Sequence, residues 1–133
     1  MARILVVEDN PANMKLVVFI LTNHGHEVIA AENAYDGINL AKQHLPDLIL
    51  MDIQLPDMDG LTATQLLKQD QTTKHLPIFA LTAFAMKRDE ERILKAGCDG
   101  YITKPIQHQA FMRTIATALN SSAIHNREGG NGF

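Results

Sequence analysis

Leu48-Ile49-Leu50-Met51-Asp52 is an unbroken apolar run that ends in an acid; Pro46-Asp47 precedes it and Leu55-Pro56-Asp57-Met58-Asp59-Gly60 follows. A continuous apolar run between loop-forming residues predicts a parallel strand covered on both faces. Three other runs end the same way. Ile4-Leu5-Val6-Val7 stops at Glu8-Asp9, Ile78-Phe79-Ala80-Leu81 at Thr82, and Tyr101-Ile102-Thr103 at Lys104-Pro105. In an open α/β sheet, ligands bind outside the carboxyl ends of the strands. The sequence thus brings three carboxylates, a hydroxyl and an amine to one edge, a set suited to a divalent cation and a phosphoryl group.

The segments between the runs alternate with them. Asn10 can cap a helix with Pro11 in its first position, where a missing N–H costs little; Met14, Val17, Val18 and Leu21 keep helical spacing until Gly25. Val28–Ala31 is a second short strand. Ala34–His44 reads as a helix with Ile38 and Ala41 inward and Gly37 inside it. A third helix carries Leu61, Leu66 and Leu67, with Asp59 expected as its cap. A fourth, from about Met86 to Ala96, is mostly charged, with Met86, Ile93 and Leu94 as its apolar stripe. The last, Gln107–Asn120, lines up Phe111, Ile115, Ala118 and Leu119. From Ser121 onward the composition turns to Ser, Asn and Gly, so residues 1–120 are expected to form the domain and 121–133 a disordered tail.

Five βα units imply a parallel sheet with right-handed crossovers and helices on both faces. A dinucleotide site needs a glycine-rich turn after the first strand, whereas Glu8-Asp9-Asn10-Pro11 places acids where phosphates would lie. The expected architecture is therefore the flavodoxin-like (βα)5 fold with strand order 2-1-3-4-5, which sets Asp9 beside Asp52. A net charge of -3 argues against a nucleic-acid partner. No stretch approaches a membrane span and no leader pattern opens the chain, so a cytoplasmic protein is expected. The single Cys98 excludes an intramolecular disulfide and reads as a buried side chain rather than a nucleophile. His24 and His26 straddle Gly25, where positive charge suits a helix C-terminus better than a metal does.

Residues Arg3 to about Asn120 resemble the receiver domain of two-component response regulators. The resemblance rests on Val7-Glu8-Asp9-Asn10, on Asp47 to Asp52 with Leu55-Pro56 and Gly60, on Leu81-Thr82-Ala83 and on Lys104-Pro105. Within the family, the likeness is to stand-alone cell-cycle regulators.

The resemblance implies that Asp52 accepts a phosphoryl group from a histidine kinase or a histidine phosphotransferase. It also implies that Mg²⁺ is bound by Asp9, Asp52 and the carbonyl of Gln54, with Glu8 acting through a water. Mg²⁺ retains several waters and needs few protein ligands. Lys104 is expected to pair with Asp52 before phosphorylation and with the phosphoryl oxygens afterwards, beside a cis Lys104–Pro105 bond. Thr82 and Ala83 would contact the phosphoryl group, and Tyr101 would enter the space that Thr82 vacates. Gln54 and Phe84 are expected to set phosphoryl lifetime. Glu8 and Asp9 would also serve as plain acids at a helix start, and Tyr101 as a plain packing residue.

With no effector module after Asn120, the expected function is a single-domain regulator, not an enzyme, signalling through protein contacts as a monomer or weak dimer. The expected output face joins the fourth helix, the fifth strand and the last helix. One alternative is a phosphorelay shuttle that passes its phosphoryl group to a histidine phosphotransferase. A Mg²⁺-dependent aspartyl-phosphate phosphatase would need an acid two residues after the nucleophile as proton donor, and that position is Gln54. A flavin carrier of the same fold is disfavoured by the acids after the first strand.

Overall fold

The computed structural model describes residues 1–83 and 86–130. The strands are β1 (Arg3–Val7), β2 (Glu27–Ala31), β3 (Leu48–Asp52), β4 (Ile78–Thr82) and β5 (Gly100–Thr103). The helices are α1 (Pro11–Asn23), α2 (Ala34–His44), α3 (Gly60–Gln69), α4 (Lys87–Lys95) and α5 (His108–Gly130). All strand pairs are parallel, as the alternation predicts, and the order is β2-β1-β3-β4-β5, as expected from the acids after the first strand.

Successive side chains of a strand face opposite sides of the sheet. Ile4, Val6, Leu48 and Leu50 pack with Val17 and Leu21 of α1 and Phe111 and Ile115 of α5. Leu5, Val7, Ile49 and Met51 face the other side, against Ala41 of α2, Leu67 of α3 and Ile93 of α4. Both faces of β1 and β3 are therefore dry, which explains their uninterrupted apolar sequence.

Local chemistry fixes the helix starts. Asn10 accepts a hydrogen bond from the Asn13 N–H at 3.0 Å with Pro11 next in line, and Asp59 accepts from the Leu61 N–H at 2.8 Å. His24 ends α1, its Nδ1 2.9 Å from the Ile20 carbonyl. Gly37, an unfavourable residue in a helix, sits where α2 meets β1: a methyl there would lie 2.7 Å from the Val7 side chain. At the amino ends of β4 and β5, Lys68 Nζ donates to the Leu76 carbonyl at 2.8 Å and to Asp99 at 3.1 Å. The same Asp99 oxygen accepts the Ile78 N–H at 2.8 Å.

Three expectations change. Leu66 of α3 faces outward and Ala63 and Thr64 are buried in its stead. On α4 only Ile93 is buried, while Met86 and Leu94 are 69% and 54% exposed. The helix is too briefly apposed to the sheet for a full apolar stripe. α5 begins one residue after the expected Gln107, and its backbone runs past the expected boundary at Asn120. Residues 121–128 contain neither Gly nor Pro, so nothing in them breaks the helix.

Candidate functional site

The carboxyl ends of β1 and β3 are adjacent, with Val7 level with Met51, and each continues into an acid. Glu8 extends the β1–β2 ladder by donating its N–H to the Ala31 carbonyl at 3.0 Å, which buries its side chain. Its Oε2 accepts the Asn10 N–H at 3.1 Å. Asp52, the last residue of β3, is 3% exposed, and its Oδ1 accepts the Gln54 N–H at 3.1 Å. Asp9 is exposed. Oxygens of Glu8, Asp9 and Asp52 nonetheless lie within 4.8 Å of one another.

The amine arrives from β5. The Lys104 N–H donates to the Thr82 carbonyl at 2.7 Å, and the Lys104–Pro105 bond is cis. Lys104 Nζ lies 2.9 Å from Glu8 Oε1 and 3.2 Å from Asp52 Oδ1. The Glu8 Oε1 that it meets is buried, and the Lys104 ammonium is its ion-pair partner. Asp52, Gln54, Thr82, Ala83 and Lys104 border a cavity of about 40 Å³, room for a water or a small ion.

Electrostatics make this cluster short of positive charge. Burial pushes the Asp52 carboxyl up, the hydrogen bond and charge of Glu8 push it further, and Lys104 and the Gln54 N–H resist; the result is about 7. Glu8 is also raised by burial, but hydrogen bonds with Asp52, Lys104 and the Asn10 N–H outweigh this and hold it below its ordinary value. For Lys104, burial favours the neutral amine, yet the two acids outweigh it and raise its pKa. One amine thus serves two buried carboxylates, with a third carboxylate at the rim. This hard-oxygen set with a charge deficit fits Mg²⁺.

Gln54 is exposed and meets Asp52 through its backbone. Thr82 is buried beside the small cavity, and Ala83 and Pro105 are exposed. The Tyr101 ring packs against the α2–α4 side of the core, and its hydroxyl donates to Glu90 of α4. Phe84 lies outside the described residues. A larger cavity of about 470 Å³ lies next to the site, between Ile53, Leu55 and Asp59 on one wall and Asp89, Arg92 and Ile93 of α4 on the other. Asp89 and Arg92 form the ion pair of this wall at 3.7 Å, rather than the Glu91–Lys95 type of pairing that helical spacing suggests.

Two contacts escape a sequence reading. A methyl on Gly60 would fall 2.0 Å from the Asp52 carbonyl oxygen, so α3 starts directly against the end of β3. Asp57 accepts the Ala34 and Tyr35 N–H groups of α2, one on each oxygen, both at 2.9 Å. Desolvation raises the Asp57 carboxyl, but these and neighbouring backbone N–H groups together outweigh it and lower its pKa. The only local sign was an acid in a loop, and its partner lies more than twenty residues away.

Residues 4–116 match the family model described as response regulator receiver domain. The chain is 48% identical over 119 residues to the polar-differentiation response regulator DivK of Brucella anthropi, covering 90% of this chain and 97% of that one. DivK of Brucella melitensis is 47% identical with the same coverage. Among solved structures, the receiver domain of sensor histidine kinase PA1611 from Pseudomonas aeruginosa PAO1 superposes with a TM-score of 0.83 at 33% identity, over 90% of this chain and 98% of that one. That structure has a magnesium ion coordinated in its active site cleft. Chemotaxis protein CheY4 of Vibrio cholerae, at 24% identity, shares the fold with a TM-score of 0.84, over 90% of this chain and 99% of that one.

Proposed function

This chain belongs to the response regulator receiver family, and from that premise we propose how its residues carry out phosphoryl acceptance and signalling. Asp52 is the acceptor. A carboxylate oxygen of Asp52 attacks the phosphorus of a phosphohistidine on a histidine kinase or histidine phosphotransferase. The P–N bond breaks, its electron pair returns to the imidazole, and an acyl phosphate forms. The observation that carries this reading is the convergence of Glu8, Asp9 and Asp52 oxygens within 4.8 Å, with Lys104 Nζ 3.2 Å from Asp52.

Asp9, Asp52 and the carbonyl of Gln54 are the residues to hold Mg²⁺, with Glu8 acting through a water. When bound, the ion offsets the negative charge of the acids and of the incoming phosphoryl oxygens. Asp52 holds its proton up to about pH 7 without a cation, so added positive charge also keeps the nucleophile ionised. Lys104 transfers its contact from Asp52 to the phosphoryl group, a charge-assisted bond. Thr82 donates its hydroxyl to the same group, with Ala83 and Pro105 shaping the rim. Tyr101, tied to Glu90, couples that movement to α4. Gln54 and Phe84 set phosphoryl lifetime, Gln54 by holding water and Phe84 by excluding it.

Output passes to a protein target over the surface formed by α4, β5 and α5. Gln54 at the position two past Asp52 cannot protonate a leaving group, which supports a regulator rather than an enzyme. The charge of -3 supports a protein partner over nucleic acid. Among the described residues no helix is long and apolar enough to cross a membrane; we place the protein in the cytoplasm, as a monomer or weak dimer. Residues 1–120 form the receiver domain and 121–133 a C-terminal tail.

Labelling with a phosphorylated kinase or a small phosphoryl donor tests the assignment. Wild type takes up phosphate only with Mg²⁺, and Asp52→Asn takes up none; undiminished labelling of Asp52→Asn refutes it. Faster phosphoryl decay in Phe84→Glu supports the shielding role, and unchanged or slower decay refutes it.

A further inference from the structure

We infer that Asp57 is a positioning residue for the phosphoryl site: by bridging the loop after Asp52 to the first turn of α2, it sets the backbone that presents Gln54. The inference rests on the assignment of Asp52 and its neighbours as the phosphoryl and Mg²⁺ site, and deepens it.

The loop from Ile53 to Asp59 must place the Gln54 backbone beside Asp52 before turning into α3. Its two ends are tied locally. The Gln54 N–H meets Asp52 at 3.1 Å, and the Gly60 N–H meets the Ile53 carbonyl at 2.8 Å. Between these ties, the Asp57 carboxylate takes the N–H groups of Ala34 and Tyr35, each at 2.9 Å. The first turn of a helix has free N–H groups and a partial positive charge, so a carboxylate is well matched to it. Asn33 already caps the Asp36 N–H at 2.8 Å, so Asp57 is an additional tie supplied from across the fold.

The anchor at the other end is firm. α2 rests on β1 through Gly37 and Val7, and Val7 leads directly into Glu8 and Asp9. Asp57 therefore closes a ring of contacts that runs from the acids after β1, through α2 and back along the loop, to Asp52. Its removal frees the middle of the loop while leaving every proposed Mg²⁺ ligand chemically intact. Groups that orient metal ligands in this way commonly alter affinity by about tenfold or more.

Two measurements test it. In cation-free protein, residue-resolved amide exchange at Gln54 and Gly60 is expected to be about tenfold faster in Asp57→Ala than in wild type. Mg²⁺ affinity, by calorimetric titration, is expected to fall about three- to tenfold in Asp57→Ala, and Asp57→Asn, which keeps an acceptor oxygen, to recover most of it. Coupling is reciprocal, so Mg²⁺ slows exchange at Ala34 and Tyr35 in wild type. A purely stabilising contact would lower the melting temperature without moving the affinity. Unchanged exchange at Gln54 and Gly60 overturns the inference, as does unchanged affinity in Asp57→Ala where wild type binds. Failure of the underlying assignment looks different: Mg²⁺ binding is then absent in wild type or undisturbed in Asp52→Asn, and the cation-free exchange still decides the role of Asp57.

Discussion

The loop that leaves β3 and the helix that follows β4 stand at the same edge of the sheet, yet they are held very differently. The β3–α3 loop is fastened by backbone bonds from Ile53 to the Leu81 carbonyl and from Gly60 to the Ile53 carbonyl. Asp57 ties it to α2, Asp59 caps α3, and Ile53, Leu55 and Met58 pack against the core. α4 has little of this beyond the bond from Tyr101 to Glu90. Its cap residue, Met86, makes no side-chain cap bond, and Ile93 is its sole buried residue. A site that must hold several oxygens in register belongs on the fastened side. A surface that must change belongs where few buried contacts oppose it. Asp52 and Thr82 lie on neighbouring strands at the border between the two.

The most direct way to break the contrast is to wedge the fastened side apart. Gly60→Ala places a methyl against the backbone of Asp52, where no side-chain rotation gives relief. We expect a loss of roughly 3 kcal/mol in urea unfolding, together with loss of Mg²⁺ binding. A loss under about 0.5 kcal/mol would show that the loop yields after all.

A second probe uses pH. Asp52 rises from an ordinary 3.8 to about 7 in the folded protein, so the native state keeps a proton that the unfolded chain releases. Its contribution to stability is full below about pH 4 and is lost as the pH climbs through about 7. Relative to Asp52→Asn, cation-free wild type should lose roughly 4 kcal/mol between pH 4 and 8. A difference that is flat, or that grows with pH, would contradict the charge deficit at the site.

On the loosely held side, adding a fastening should stabilise. Met86 already has the extended backbone of a cap residue, so Met86→Asp is expected to add about 1 kcal/mol and slow amide exchange along α4. No gain would mean that the start of α4 is already satisfied. Smallest of all, Tyr101→Phe removes the bond to Glu90 at a partly exposed position. A change of about 0.5 kcal/mol is expected, and a loss above about 2 kcal/mol would make the bond a structural pillar.

Much of this contrast was hidden in the sequence. Apolar runs ending in Glu8, Asp52, Thr82 and Lys104 disclosed the strands, their order and the side chains at their ends, because burial on both faces forces such runs. The caps at Asn10 and Asp59 were readable because they act within a few residues of themselves. Asp57 was not, since its partners on α2 become neighbours only once the sheet has formed. Gly37 and Gly60 looked like a weak helix position and a turn residue; each marks a close approach to a distant backbone or side chain. Met86 and Leu94 misled in the opposite direction. Their spacing satisfies a helical stripe, but Ile93 is the one residue of α4 that the fold buries.

The clamp of Lys68 and Asp99 at the amino ends of β4 and β5 has a mechanical consequence. A strand pinned at one end behaves as a lever with its fulcrum there. Displacement grows with distance from the fulcrum and is greatest at the far tips, where Thr82 and Lys104 sit. A tug on the Lys104 tip therefore runs along β5 to Tyr101 and its hold on α4, while β4 keeps its pairing with β3.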